Sequence, residues 1–98
     1  DEALNLARAA KAKLPDDPGV MDTLGFVYLR KGLVDSAIAE LRESAAKLPE
    51  NPTVRFHLGL AYQQKGDAAA ARRELQAALD LKRTFPEEDE AREALSRL

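Results

Sequence analysis

Apolar residues fall three or four positions apart through most of this chain, and proline and glycine break the pattern at regular intervals. That spacing places apolar side chains on one face of successive α-helices. Ala3, Ala7, Ala10 and Leu14 predict a helix over 1–14. Pro15-Asp16-Asp17-Pro18 interrupts it, and Pro18 suits the first turn of a second helix, where its missing N–H costs nothing. The second helix runs to about Lys31 and stops at Gly32, a residue able to take the left-handed cap. A third is expected over 35–48, with Asp35 near its positive end. Pro49-Glu50-Asn51-Pro52 repeats the punctuation before a fourth helix over 52–65, which stops at Gly66. A fifth, over 68–83, follows Asp67 as its N-cap. Thr84-Phe85-Pro86-Glu87 has the spacing of a capping box and opens a sixth, whose first turn holds Glu87, Glu88, Asp89 and Glu90. In that last helix Ala91, Ala94, Leu95 and Leu98 make one narrow apolar stripe with a polar back, which suits the end of a stack. No stretch shows sustained strand alternation.

The pattern also recurs at 34 residues. Val20, Leu24, Gly25, Tyr28, Gly32, Ala37 and Leu41 return as Val54, Leu58, Gly59, Tyr62, Gly66, Ala71 and Leu75. Such a register implies stacked copies of one helix pair, an all-α solenoid, rather than a single globular core. Gly25 and Gly59 fall inside helices, where glycine costs about 1 kcal/mol relative to alanine. A cost taken twice at one phase predicts a close helix–helix approach. Ala37 and Ala71 are the expected facing small residues, with Tyr28 and Tyr62 filling the seam.

These residues are similar to the tetratricopeptide repeat (TPR) family, whose pattern runs W-x2-L-G-x2-Y, then A-x3-F, then P. Leu24-Gly25-x-x-Tyr28 and Leu58-Gly59-x-x-Tyr62 carry the first part, and Ala37-x3-Leu41 and Ala71-x3-Leu75 the second, with leucine for phenylalanine. Met21 and Arg55 stand in the tryptophan place, and Arg55 is expected to loosen its end of the fourth helix. The resemblance implies one TPR domain over 1–98: the second helix of a partial repeat at 1–17, repeats at 18–51 and 52–85, and a capping helix at 86–98. The tail looks like the C-terminal repeats of a longer bacterial TPR protein. The chain opens at Asp1, within a helical pattern, and is read as part of such a protein.

Composition narrows the function. The net charge is −2, so no strong overall field draws nucleic acid or anionic lipid. No apolar run approaches the ~20 residues of a membrane span, so no membrane contact is expected. There is no cysteine, which removes disulfides, thiolate metal sites and cysteine nucleophiles. The one histidine, His57, has Thr53, Val54, Leu60 and Ala61 at helical spacing and so predicts no metal site. No serine sits in a Gly-x-Ser-x-Gly turn and no glycine-rich phosphate loop is present. Neither enzyme activity nor a cofactor is expected. The basic pairs Arg72-Arg73 and Lys82-Arg83 read as a solvated face.

Surface recognition remains. In the family, the first helix of each pair lines a concave groove that commonly binds peptides. That geometry turns Asp22, Phe26, Leu29, Phe56, Leu60 and Gln63 inward, giving an apolar groove for a protein or peptide partner. The lysine, arginine and asparagine clamp that one subfamily uses for C-terminal carboxylates is absent from the inward places, which hold Asp22, Phe26, His57 and Leu60. The alternative is a structural role, as the capping or self-association end of a longer array. Ala3, Leu6, Ala7, Ala10 and Leu14 would then lack a cover, making a homo-oligomer of the isolated segment the expected consequence.

Overall fold

The computed structural model describes residues 1–98 and is built from six helices and no strands: α1 (Glu2–Lys13), α2 (Pro18–Arg30), α3 (Val34–Lys47), α4 (Pro52–Lys65), α5 (Ala68–Asp80) and α6 (Glu88–Ser96). α2 packs on α3 and α4 on α5 as hairpins, α3 against α4 joins the pairs, and α1 and α6 close the two ends. The result is an elongated stack of 36 × 25 × 20 Å.

Local chemistry sets the breaks. Asp17 and Asn51 are N-caps whose side chains accept the backbone N–H of Val20 and Val54 at 3.1 and 3.2 Å. Pro18 and Pro52 occupy the first turns that follow. Gly32 and Gly66 leave the helices at φ of 78° and 91°, in the left-handed region open to glycine. Asp67 caps α5, accepting from the Ala70 N–H at 3.0 Å.

Two boundaries differ from expectation. α5 ends at Asp80, before the predicted 83, because Lys82 turns to φ 54°. A lysine there costs about 1–2 kcal/mol. The turn brings Phe85 down to 6% exposure among Phe56, Leu75, Ala78, Ala91 and Ala94, which offsets that cost. Thr84 therefore caps nothing. The sixth helix starts at Glu88, and the Glu87 carboxylate instead accepts from Thr53 Oγ1 at 2.8 Å, tying the last helix to the start of α4.

The core is a row of three apolar clusters, one per contact between successive units. The helical glycines are the points of closest approach, but their partners are leucines rather than the expected Ala37 and Ala71. A Cβ on Gly25 would lie 2.6 Å from Leu41 Cγ, and one on Gly59 2.7 Å from Leu75 Cγ. Both leucines are fully buried, each stabilising by about 2 kcal/mol. Ala37 and Ala71 are buried beside them. Met21 fills its tryptophan place completely. Arg55 does not loosen α4: its Nη1 donates to Glu74 on α5 at 2.9 Å and its Nε to the Pro49 carbonyl at 3.2 Å. Ser44, also fully buried, donates to the Pro18 carbonyl at 2.8 Å and holds α3 on the start of α2.

At the N-terminal end Leu4 and Ala7 pack against Leu24. Ala7 thus has a cover within the chain, contrary to expectation, because it faces α2. Ala3, Leu6 and Leu14 are exposed and Ala10 is half-buried. Lys11 Nζ donates to Glu40 Oε1 at 2.6 Å and ties α1 to α3. That hydrogen bond holds the Lys11 pKa above the ordinary lysine value, with partial burial opposing and the charges of Glu40 and Glu43 adding.

Two outcomes follow from these contacts. Gly25→Ala or Gly59→Ala gains up to about 1 kcal/mol of helix propensity but forces a buried leucine aside, at about 1–3 kcal/mol. Urea denaturation should show net destabilisation for each, and a gain in stability would refute the close approach. The Lys11 tie acts fully below the unfolded-state lysine pKa and is lost as pH rises through the raised folded-state value. Lys11→Met should therefore lower the thermal midpoint at neutral pH. Its difference from the parent should close in strong alkali; a difference independent of pH would exclude the tie.

Candidate functional site

The first helices of the two hairpins, α2 and α4, lie side by side. An open cleft of about 520 Å³ runs between them, lined by Phe26, Leu29 and Arg30 from α2 and Leu60, Gln63 and Gln64 from α4. Positions 26, 29 and 30 fall on one face of α2, and 60, 63 and 64 repeat that spacing 34 residues later. Four of the residues expected to face inward thus meet in one place: Phe26, Leu29, Leu60 and Gln63. Leu29 is its buried floor, while Phe26, Leu60 and Gln63 are half-buried and reachable from solvent.

The other two do not line it. Phe56 is 3% exposed and belongs to the core cluster with Leu75, Ala78 and Phe85. The terminal segment 84–98 folds back over it, so it is a structural residue. Asp22 is half-buried and committed to an internal contact: its Oδ1 lies 2.8 Å from His57 Nδ1. A carboxylate has only acceptors, so the ring nitrogen donates. His57 is itself buried and stacks on Phe26, with ring centroids 4.3 Å apart and planes 28° apart. The Phe56 ring is tilted by 44° to the imidazole at 5.8 Å, and the Arg30 guanidinium lies 5.8 Å from the Phe26 ring. Arg30, Phe26 and His57 form a pile reaching inward from the cleft rim, with Phe56 tilted beside the imidazole and Asp22 fixing it.

The sequence reading missed this pile because it searched for partners of His57 on its own helix. The partner stands 35 positions away, one residue out of phase with the repeat. Superposing the two repeats would have set position 57 beside position 22. The reading also missed Arg30 and Gln64. Chemically the cleft offers an apolar floor, one cation and two amides, with no carboxylate in its lining. No group of three or more histidine, aspartate or glutamate side chains converges anywhere in the chain. No helix is long and apolar enough to cross a membrane.

The Tetratricopeptide repeat family model matches residues 52–85. The solved structure of MamA MSR-1 C2 superposes with a TM-score of 0.79 at 30% sequence identity, covering 96% of this chain and 52% of that one. That of MamA D159K mutant 2 gives 0.77 at 30% identity, covering 94% and 49%. This chain therefore spans about half the length of the solved structures it resembles. Among curated proteins none matches. The chain is a TPR-type repeat protein, with the helical solenoid of that fold. Repeats of this family generally mediate protein–protein interaction.

If the Asp22–His57 bond couples the two hairpins, a double-mutant cycle of Asp22→Ala and His57→Ala in urea should give an interaction of about 1 kcal/mol. Strict additivity would show that the pair does not hold α2 to α4.

Proposed function

We propose that this chain is a protein-interaction scaffold that grips an apolar segment of a partner in the cleft between α2 and α4. The reading divides the chain into two complete repeats, 18–51 and 52–85, preceded by the second helix of a partial repeat at 1–17 and closed by the cap at 86–98. Its main support is the half-exposed apolar pair Phe26 and Leu60 over Leu29 in one open cleft. A soluble surface gains nothing from leaving such a pair wet, and apolar clefts rimmed by polar groups commonly mark interfaces. The rim amides of Gln63 and Gln64 can meet the backbone of an extended or helical segment. No catalytic role belongs to the proposal, because the cleft brings together no nucleophile and base.

A second reading keeps α1 as the working surface, with the chain acting as the capping or self-association end of a longer array. Its support is Leu6 and Leu14 at 64% and 53% exposure on a helix whose opposite face is packed. The two readings separate by where substitutions act. Leu60→Ser together with Gln63→Glu should weaken capture of a partner by the full-length protein about tenfold or more, while Leu6→Lys should leave capture intact and abolish any concentration-dependent mass increase in light scattering. Phe56 is unsuitable for this test, since its loss would open the core. Unchanged capture by the Leu60→Ser/Gln63→Glu variant, with its helical content preserved, would remove the cleft from the mechanism.

A further inference from the structure

On the opposite side of α4 lies a second cleft, about 320 Å³, lined among others by Arg42 of α3, Arg55 and Tyr62 of α4, and Arg73 and Glu74 of α5. At about 100° per residue, positions 55, 58 and 62 project away from 60, 63 and 64, so this cleft is independent of the one between α2 and α4. Three arginines face one glutamate, and that glutamate is already paired with Arg55 at 2.9 Å. Arg42 and Arg73 form no ion pair within the chain. Neither has an acidic residue three or four positions away on its own helix.

The preceding repeat supplies an internal comparison. Thirty-four positions earlier stand Arg8, Met21, Tyr28, Ala39 and Glu40, in the places of Arg42, Arg55, Tyr62, Arg73 and Glu74, with Lys11 in the place of Ala45. There the one glutamate is met by a lysine, and the one arginine outside an ion pair rests on a tyrosine. Lys11 pairs with Glu40, and Arg8 lies 5.7 Å over the Tyr28 ring with its Nε 3.4 Å from the hydroxyl. In the later cleft Arg55 takes over the glutamate, Arg42 loses its lysine neighbour, and Arg73 replaces an alanine. Two guanidinium groups remain with no anion supplied by the chain. The repeat fold does not require this, since the earlier copy is built without it.

We propose that this cleft binds a phosphate group, free or esterified on a side chain of a partner. Two unpaired guanidinium forks match the charge near −2 and the several acceptor oxygens of a phosphate better than a single carboxylate. The Tyr62 ring lines the same cleft.

The test is a titration at constant ionic strength, held with sodium chloride, followed by NMR of the arginine side-chain N–H signals. The probes are inorganic phosphate, a short phosphoserine peptide and the same peptide unphosphorylated. Saturable shifts at Arg42 and Arg73, absent at Arg8, are expected with the phosphate-bearing probes. Arg42→Gln/Arg73→Gln should weaken binding about tenfold or more. Both positions are exposed, so the variant should fold. Tighter binding of the phosphopeptide than of inorganic phosphate assigns a modified partner, and equal binding assigns the free anion. Shifts that chloride alone reproduces, that never saturate, or that survive in the double variant would overturn the proposal.

Discussion

The architecture depends on two backbone contacts. At Gly25 and at Gly59 the missing side chain lets a helix settle directly on a buried leucine of its hairpin partner, Leu41 in one case and Leu75 in the other. Any larger residue would hold the helices apart and uncover the leucine. Interhelical distance in such a stack is set by the side chains at the contact, and the glycine sets it to its minimum. The same notch used twice gives both hairpins one shape. Their equal shape lets the second stack on the first as the first stacks on α1.

Apolar contact alone would leave the hairpins free to slide, because burial is not directional. Polar ties fix the register. Ser44 holds α3 to the start of α2, Asp22 and His57 cross from α2 to α4, and Thr53 meets Glu87 between α4 and the last helix. Each joins residues 26 to 35 positions apart in sequence. None is a large energy by itself, since a hydrogen bond contributes about 1 kcal/mol net. Their geometry nevertheless admits one register only, and no buried side-chain donor or acceptor is left unpaired.

That distinction decides what could be read from the sequence. The helices, their prolines and glycines, the period and the capping stripe at Ala91 and Ala94 are local signals, and local signals survive in a one-dimensional text. Residues that point across repeats do not. Phe56 was expected in the groove from the geometry of the family it resembles; only the return of Phe85 over it makes it core. Thr84 and Glu87 had the spacing of a capping box, but the pull of Phe85 into the core moved the N-cap three residues on, to Glu87. Ala7 seemed uncovered until α2 was laid against it. In each case tertiary burial overrode a correct local preference.

The repeat offers one further lever. Two copies under the same packing constraints should differ freely only where packing does not decide, and the positions that pack closest are indeed the ones kept: glycine, alanine, leucine, tyrosine. Differences at matched positions are therefore where additional demands can show. At the earlier cleft Lys11 answers Glu40, and Arg8, the one guanidinium there, rests on Tyr28. At the later cleft Arg55 answers Glu74, while Arg42 and Arg73 are left over. Folding does not require two such guanidinium groups, because the neighbouring copy folds the same way with one, and that one rests on a tyrosine. A surplus of charge that the fold does not use is best explained by something outside the chain.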